Sequence, residues 1–164
     1  MENFIALTAP GELVRIRDLA AVIWPATFAE ILSREQITYM MQMMYAPEVM
    51  NAEMDNGVKF ELLQIDGTDA GYMVYEKISA DCAKLHKLYL LQKFHGRSFG
   101  QKMLDHVADL CRRLGCRYLK LNVNKQNSRA IKAYLRNGFT HDHPETTPIG
   151  NGFVMDDFVM IKSL

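Results

Sequence analysis

The segment from residue 92 to residue 100, QKFHGRSFG, places glycine, serine and basic side chains directly before an amphipathic stretch. An apolar run from Leu85 to Leu91 precedes it, so the order is a predicted strand, a loop and a predicted helix. The first turn of a helix offers unpaired backbone N–H groups and a positive dipole end, and Gly96 and Gly100 permit close approach of a ligand. Arg97 adds a charged donor for an anion. The pattern indicates a phosphate-binding loop, although such a loop is most often only a turn.

The elements after this loop are predicted from their periodicity. A long helix has one apolar face and ends at a glycine: Phe99, Met103, Val107, Leu110, Leu114 and Gly115. Residues 117–123 alternate as a half-buried strand does, and Asn127 is placed to cap a further helix that ends at Gly138. The order strand, loop, helix, strand, helix is a βαβα unit and indicates the α/β class.

The first part of the chain predicts a strand, three helices and a hairpin. Residues 4–7 favour a strand, and a helical pattern follows until Pro25 forces a kink or a stop just after Trp24. Ser33 with Gln36 three residues later is typical of a capping box, and Pro47 of the first turn of a third helix. Residues 60–65 and 72–78 predict two strands around the turn at Asp66 and Gly67.

The last part of the chain predicts a loop and a strand. Residues 141–152 predict a flexible loop, which could cover a bound acceptor, and residues 153–161 predict a closing strand.

The composition fits one globular domain over residues 1–164, since 49% of the residues are hydrophobic and 23% are charged. The 19 basic and 19 acidic residues balance, so no nucleic-acid partner is expected. Three cysteines without CxxC spacing favour a reducing compartment over a disulfide framework or a zinc site. No stretch approaches the roughly 18 apolar residues of a membrane span, and no signal-peptide pattern opens the chain. We therefore expect a cytoplasmic protein that does not enter a membrane.

A second block of sequence, NKQNSRAIKAYLRNGF at residues 124–139, carries a resemblance to a known family. Together with the loop it resembles the GNAT acetyltransferase superfamily over roughly residues 58–140. The block matches the family pattern N-x-x-A-x-x-x-Y-x-x-x-G-F without a gap. The family's pyrophosphate pattern, Arg/Gln-x-x-Gly-x-Gly/Ala, falls on residues 95–100. There Gly100 matches, His95 stands where Arg or Gln is usual, and Ser98 replaces the first glycine, which should stiffen the loop.

The resemblance implies a fold and a coenzyme. The fold is a mixed, mainly antiparallel sheet of about seven strands flanked by helices, with acceptor-side helices over about 11–57, a coenzyme-binding core over about 58–140 and the closing strand. The co-substrate is acetyl-CoA, and no metal is implied. The pantetheine arm would pair with backbone groups of one strand, and the pyrophosphate would lie on the amides of the loop. The implied coenzyme-binding residues are Leu88, Tyr89, Leu90, His95, Gly96, Arg97, Ser98, Phe99, Gly100, Gln101, Asn127 and Ala130.

Acetyl transfer to an amine needs an acid and a base. The resemblance implies that Tyr134 protonates the departing thiolate, and a phenol with a pKa of about 10 can do this while it stays neutral. Without the motif, a tyrosine on an apolar helix face is more often core. His86, Glu76 and Glu30 are candidates for the base that deprotonates the amine, and each of them could instead be an ordinary surface residue.

Acceptor selection should lie in the N-terminal helices and the hairpin, where Trp24, Phe28 and Tyr39 could line a pocket. Methionines at helical spacing are more often core, but with the aromatic residues they could also serve a homodimer. His141 and His143 have the spacing of a metal-binding pair without a third ligand in register, so no metal site is expected.

The sequence thus predicts an N-acetyltransferase that acts on a primary amine, with a small amine or polyamine favoured over a protein amine. One alternative is a non-catalytic module that binds acyl-CoA as a sensor or partner. A more distant one is an unrelated nucleotide-binding α/β domain, for which neither GxxxxGK[ST] nor a clean GxGxxG is present.

Overall fold

Seven strands form one mixed sheet, as the family resemblance implies. The computed structural model describes residues 1–164. The order across the sheet is β1-β2-β3-β4-β5-β7-β6, and all neighbours are antiparallel except β4 and β5. The strands are β1 (Glu2–Leu7), β2 (Lys59–Ile65), β3 (Thr68–Lys77), β4 (Cys82–Leu90), β5 (Tyr118–Asn124), β6 (Thr140–Gly150) and β7 (Phe153–Ser163). The helices are α1 (Val14–Phe28), α2 (Arg34–Tyr45), α3 (Pro47–Asp55), α4 (Phe99–Arg113) and α5 (Ser128–Arg136).

The predicted helix caps are present at α2 and α5. The Ser33 hydroxyl accepts a hydrogen bond from the Gln36 amide at 3.1 Å, and Asn127 Oδ1 accepts one from the Ala130 amide at 3.3 Å. The Gln36 side chain does not close the capping box, because it donates instead to the Val154 carbonyl at 2.8 Å. That bond joins the start of α2 to the beginning of β7.

One local prediction is wrong, and of the two outcomes predicted at Pro25 one does not occur. The segment predicted as a loop over residues 141–152 is mostly strand β6, with its turn at Asn151 and Gly152. Its prolines are tolerated because β6 is an edge strand, where the ladder needs hydrogen bonds on one side only, and its register shifts near Pro148. At Pro25, where the sequence predicts a kink or a stop, helix α1 does not stop but continues to Phe28 with one backbone hydrogen bond fewer, since proline has no N–H.

Hydrophobic cores lie on both faces of the sheet. One contains the apolar face of α4 with alternating residues of β4 and β5, including Met103, Val107 and Leu121. The other contains α1, α2 and α3 against β2 and β3. In this second core Trp24 Nε1 donates to the Tyr45 hydroxyl at 2.9 Å, and that hydroxyl lies 2.5 Å from the hydroxyl of Tyr72. These bonds fix α1 and α2 on β3.

No helix is both long and apolar enough to cross a bilayer.

The parallel pair β4 and β5 separates after four residue pairs. Residues 82–85 of β4 pair with residues 118–121 of β5, and beyond Leu85 and Leu121 the two strands are no longer partners. A bulge coincides with this point, since Val74 pairs with Lys87 but Tyr75 pairs with Leu85, which leaves His86 as the extra residue. The second half of β4 therefore has a partner on one side only.

The tight packing around Gly71, between β4 and α4, predicts a strong effect of substitution on stability. A Cβ atom there would lie 2.6 Å from the Tyr89 carbonyl oxygen and 3.1 Å from Met103 Cε. We expect Gly71→Ala to lower the free energy of unfolding by about 1–3 kcal/mol, the usual cost of overpacking a core. Urea unfolding measures it, and Gly11→Ala is the control, because a Cβ at Gly11 meets nothing within 4 Å. A Gly71→Ala variant as stable as the control would contradict the packing.

Candidate functional site

A cleft of about 820 Å³ opens where β4 and β5 separate. Its walls come from the C-terminal half of α1, from α2, β4, the loop before α4, α5 and the start of β7. Most of the residues that the sequence singles out line it together: Trp24, Phe28, Glu76, His86, Leu88, Tyr89, Leu90, His95, Gly96, Ser98, Phe99, Gly100, Gln101, Asn127, Ala130 and Tyr134. The structure does not bring Glu30, Tyr39 or Arg97 to this lining.

The loop before α4 turns through two left-handed residues. Gly96 has a φ of 76° and Ser98 a φ of 65°, so Ser98 adopts the conformation that glycine favours. Helix α4 starts at the next residue, and no side chain caps it. The first amide of the turn to bond within the chain is that of Lys102, which donates to the Ser98 carbonyl at 3.1 Å. The amides of residues 99–101 are therefore free at the cleft, which is the arrangement of an anion site.

Gly100 is not required by the backbone conformation. Its φ is not positive, and a Cβ atom added there would meet nothing within 4 Å. Because Gly100 lines the cleft, that Cβ would occupy space open to a ligand. The absence of a side chain here keeps the first turn of α4 accessible.

His95 connects the loop to the end of β4. Its Nε2 donates to the Leu90 carbonyl at 2.9 Å, which leaves Nδ1 without hydrogen, buried and without a partner. Burial lowers the pKa of His95, and Arg129 acts in the same direction, while the bond to Leu90 opposes it. The side chain is thus a neutral tether that holds the loop against β4.

Tyr134 is half-buried on α5 and packs edge-on against Phe139, with ring centres 5.7 Å apart. Burial raises the pKa of Tyr134 to about 12. The phenol is therefore protonated at neutral pH and able to donate a proton into the cleft that it lines.

Two of the three predicted base candidates meet in the cleft. His86 Nε2 lies 2.9 Å from Glu76 Oε1, and each side chain is 30% exposed. Burial lowers the pKa of His86, against the opposing effect of Glu76. Glu30 lies exposed in the turn after α1, away from this pair.

Aromatic rings form the wall at the α1 side of the cleft. The Trp24 ring centre lies 4.5 Å from that of Phe28 and 5.8 Å from that of Tyr89. Tyr39 has a different position, since its hydroxyl donates to the Ile149 carbonyl at 2.6 Å and so ties α2 to the end of β6. The hairpin of β6 and β7 contributes Val154 and Met155 to the lining of the cleft.

Asp157 is a cleft residue that the sequence reasoning missed. It lies on β7 with only 5% of its surface exposed, and burial raises the pKa of its carboxyl. The sequence signal that could have indicated it is the alternation along the closing strand, which places Asp157 on the same face as Val159, and both residues are buried. Buried Lys87 was missed as well, and its Nζ lies 3.8 Å from Glu53 Oε2.

Comparison with known proteins gives consistent matches. A family model described as the acetyltransferase (GNAT) family matches residues 14–139. A spermidine N(1)-acetyltransferase of Thermoplasma acidophilum is 25% identical over 150 residues, covering 88% of this chain and 90% of that protein.

Two solved structures illustrate the shared fold. The PaiA N-acetyltransferase of Thermoplasma acidophilum in complex with coenzyme A has a TM-score of 0.85 at 24% identity, covering 100% of this chain and 99% of that one. The ribosomal-protein-S18-alanine N-acetyltransferase of Escherichia coli has a TM-score of 0.74 at 16% identity, covering 99% and 94%.

The left-handed loop residues predict stability changes of opposite sign. Ser98→Gly relieves the left-handed strain of a side chain but adds freedom to the unfolded chain, so we expect a net stabilisation of up to about 1 kcal/mol. Gly96→Ala introduces that strain at a φ of 76° and should lower stability by about 1–2 kcal/mol. Urea midpoints of the two variants test the loop, and a destabilised Ser98→Gly would show that its conformation is different.

Proposed function

Because the chain belongs to the acetyltransferase (GNAT) family, we propose that this N-acetyltransferase moves the acetyl group of acetyl-CoA to the primary amine of a small molecule. Acetyl-CoA supplies an activated thioester, whose acetyl carbon an amine can attack. The observation that carries the proposal is one continuous cleft that joins the uncapped start of α4, the open edge of β4 and the hydroxyl of Tyr134.

The coenzyme half of the cleft offers main-chain groups. Alternate residues of β4 turn their N–H and C=O groups away from β3, and beyond Leu85 no strand pairs with them on that side. We assign Leu88, Tyr89 and Leu90 to the pantetheine arm. The free amides at the start of α4, with Gly96 and Ser98 shaping the loop, suit the pyrophosphate. His95 holds this loop in place, and Arg97 adds positive charge at its exposed side.

Tyr134 is proposed as the acid that gives its proton to the departing CoA sulfur. Its raised pKa keeps the phenol protonated at neutral pH, so the proton is available to the sulfur while the carbon–sulfur bond breaks. Asn127 caps α5 and thereby fixes the helix that carries Tyr134. His86 and Glu76 stay candidates for the base.

A small amine, with polyamines included, is proposed as the acceptor. The spermidine acetyltransferase relative supports this class, although only at 25% identity. The hairpin of β6 and β7 adds support, since its bonds to Tyr39 and Gln36 hold it against α2 beside the cleft, where it would restrict the path of an extended peptide. A cytoplasmic location and a homodimer stay predictions of the sequence.

Release of free CoA thiol that depends on an added amine tests the function. Polyamines, aminoglycosides, amino acids and peptides form the acceptor panel. We expect turnover with small amines and none with peptides. A protein that binds CoA but releases no thiol with any amine of the panel would instead be a sensor module.

Tyr134→Phe tests the proposed acid in the same assay. We expect kcat to fall by about 100-fold and the affinity for CoA to stay unchanged. An unchanged kcat across the pH range would show that Tyr134 is not the acid.

Gly100→Ala should separate coenzyme binding from stability. Alanine is favoured over glycine in a helix by up to about 1 kcal/mol, so the variant should be as stable as the parent or more so. Its Cβ would enter the space assigned to the pyrophosphate, and we expect CoA affinity to fall at least about 10-fold, or about 1.4 kcal/mol. Calorimetric titration with CoA measures it. Equal affinity in Gly100→Ala and Gly11→Ala would place the pyrophosphate elsewhere.

A further inference from the structure

Asp157 differs from its neighbours in having no cationic partner. The adjacent Asp156 lies 2.7 Å from Lys125 Nζ and accepts a bond from Thr146 at 3.1 Å. No lysine, arginine or histidine nitrogen lies within 4 Å of Asp157, although only 5% of its surface is exposed. The neutral amide of Asn122 is its hydrogen-bonding neighbour, and Lys84, which also lines the cleft, acts on it only as a charge beyond salt-bridge distance. A buried carboxylate is normally paired with a charge, so this one is poised for a cation that arrives from the cleft.

The other carboxylates of the cleft are already engaged. Glu76 is bonded to His86 at 2.9 Å, and Glu53 lies 3.8 Å from buried Lys87. The lining contains no further aspartate or glutamate. Asp157 is therefore the one carboxylate of the cleft that has no lysine or histidine nitrogen within 4 Å.

Asp157 also lies near the expected site of acetyl transfer. It pairs across the ladder with Asn124, which lines the cleft at the end of β5, where the strand has left β4. Burial is the main cause that raises the pKa of Tyr89, and Tyr45, Tyr134 and Asp157 act in the same direction. Asp157, Tyr89 and Tyr134 line the same cleft.

The wall of the cleft on the side of α1 is apolar. It consists of the aromatic wall of Trp24, Phe28 and Tyr89 with methionines from α2 and β7. Aromatic faces and a carboxylate together suit one ammonium group on an apolar body. A second ammonium in this part of the cleft would be buried against methionine and aromatic carbon without a free carboxylate, which is strongly unfavourable.

Building on the proposed function, we propose that Asp157 binds the ammonium group of the acceptor and takes its proton, and that within the small-amine class a monoamine with an apolar body is preferred over diamines and polyamines. Burial that raises the pKa of this carboxyl makes it a better proton acceptor than an exposed aspartate. The assignment gives the amine an anchor and a base in one group.

The nitrogen of the ammonium group loses two protons in the proposed transfer. The ammonium gives one proton to Asp157, and the neutral nitrogen forms a bond to the acetyl carbon while the bond from that carbon to sulfur breaks. The sulfur takes the proton of Tyr134, and the second proton lost by nitrogen restores Tyr134. Asp157 then releases its proton to solvent, so that one ammonium and one acetyl-CoA give one amide, one CoA thiol and one proton.

Hexylamine and 1,6-diaminohexane test the acceptor class, since they differ by one ammonium group on the same chain. With the unaltered protein we expect kcat/KM for hexylamine to exceed that for the diamine by at least about 10-fold, and that for spermidine by more. A diamine or spermidine that reacts as well as hexylamine would overturn the monoamine assignment while leaving the proposed acetyl transfer intact. If CoA binds and no amine of any class releases thiol, the proposed function fails and this inference with it.

Asp157→Asn tests the residue, with Asp156→Asn as the matched control. We expect the Asp157 variant to lose about 100-fold or more in kcat/KM for hexylamine, with a higher KM for the amine and an unchanged Kd for CoA. The control should keep the parent's kcat/KM. Glu76→Gln and His86→Gln complete the set: a larger loss in either of them than in Asp157→Asn would assign the base to that pair and overturn the role of Asp157.

Discussion

The separation of β4 from β5 is the constraint on which the rest of the site depends. Two neighbouring parallel strands normally keep their ladder, because unpaired backbone groups are costly away from water. Here the ladder lasts from Cys82 to Leu85 and then ends at the bulge of His86. The strands are still held firmly, β4 by β3 and β5 by β7, so the gap between them persists as a cleft. Its unpaired backbone needs a partner, and an amide-containing arm of a ligand can supply one.

Recognition by main-chain groups explains how the loop can depart from the family pattern. A helix N-terminus binds an anion through amides and a dipole, which do not depend on the side chain at each position. What the loop must keep is its path. Ser98 adopts the left-handed conformation of the glycine that it replaces, and His95 secures the loop through the Leu90 carbonyl. The substitutions therefore alter the stability of the turn more than the direction of its amides.

The sequence predicts those parts of the fold whose signal is local. Helix α4 and strand β5 each bury one face, so their periodicity is clear, and Asn127 caps α5 by a bond to a residue three positions away. Strand β6 has almost no buried residue, so no alternation marks it, and only its pairing with β7 makes it a strand. Tyr39 and Asp157 show the same limit at the site. Tyr39 bonds to a carbonyl 110 residues away, and Asp157 reaches the cleft because β7 lies beside β5.

Strand β6 has a further effect at the border of the sheet. An outer strand with a full row of free N–H and C=O groups can recruit a strand from another molecule and start aggregation. Two of the eleven residues of β6 are prolines, which have no N–H to offer, and Asp142 and Glu145 add like charge along the same border. The prolines and charged residues that make β6 hard to predict as a strand thus also disfavour the addition of a strand from a second molecule at this edge, which is the first step of fibril growth.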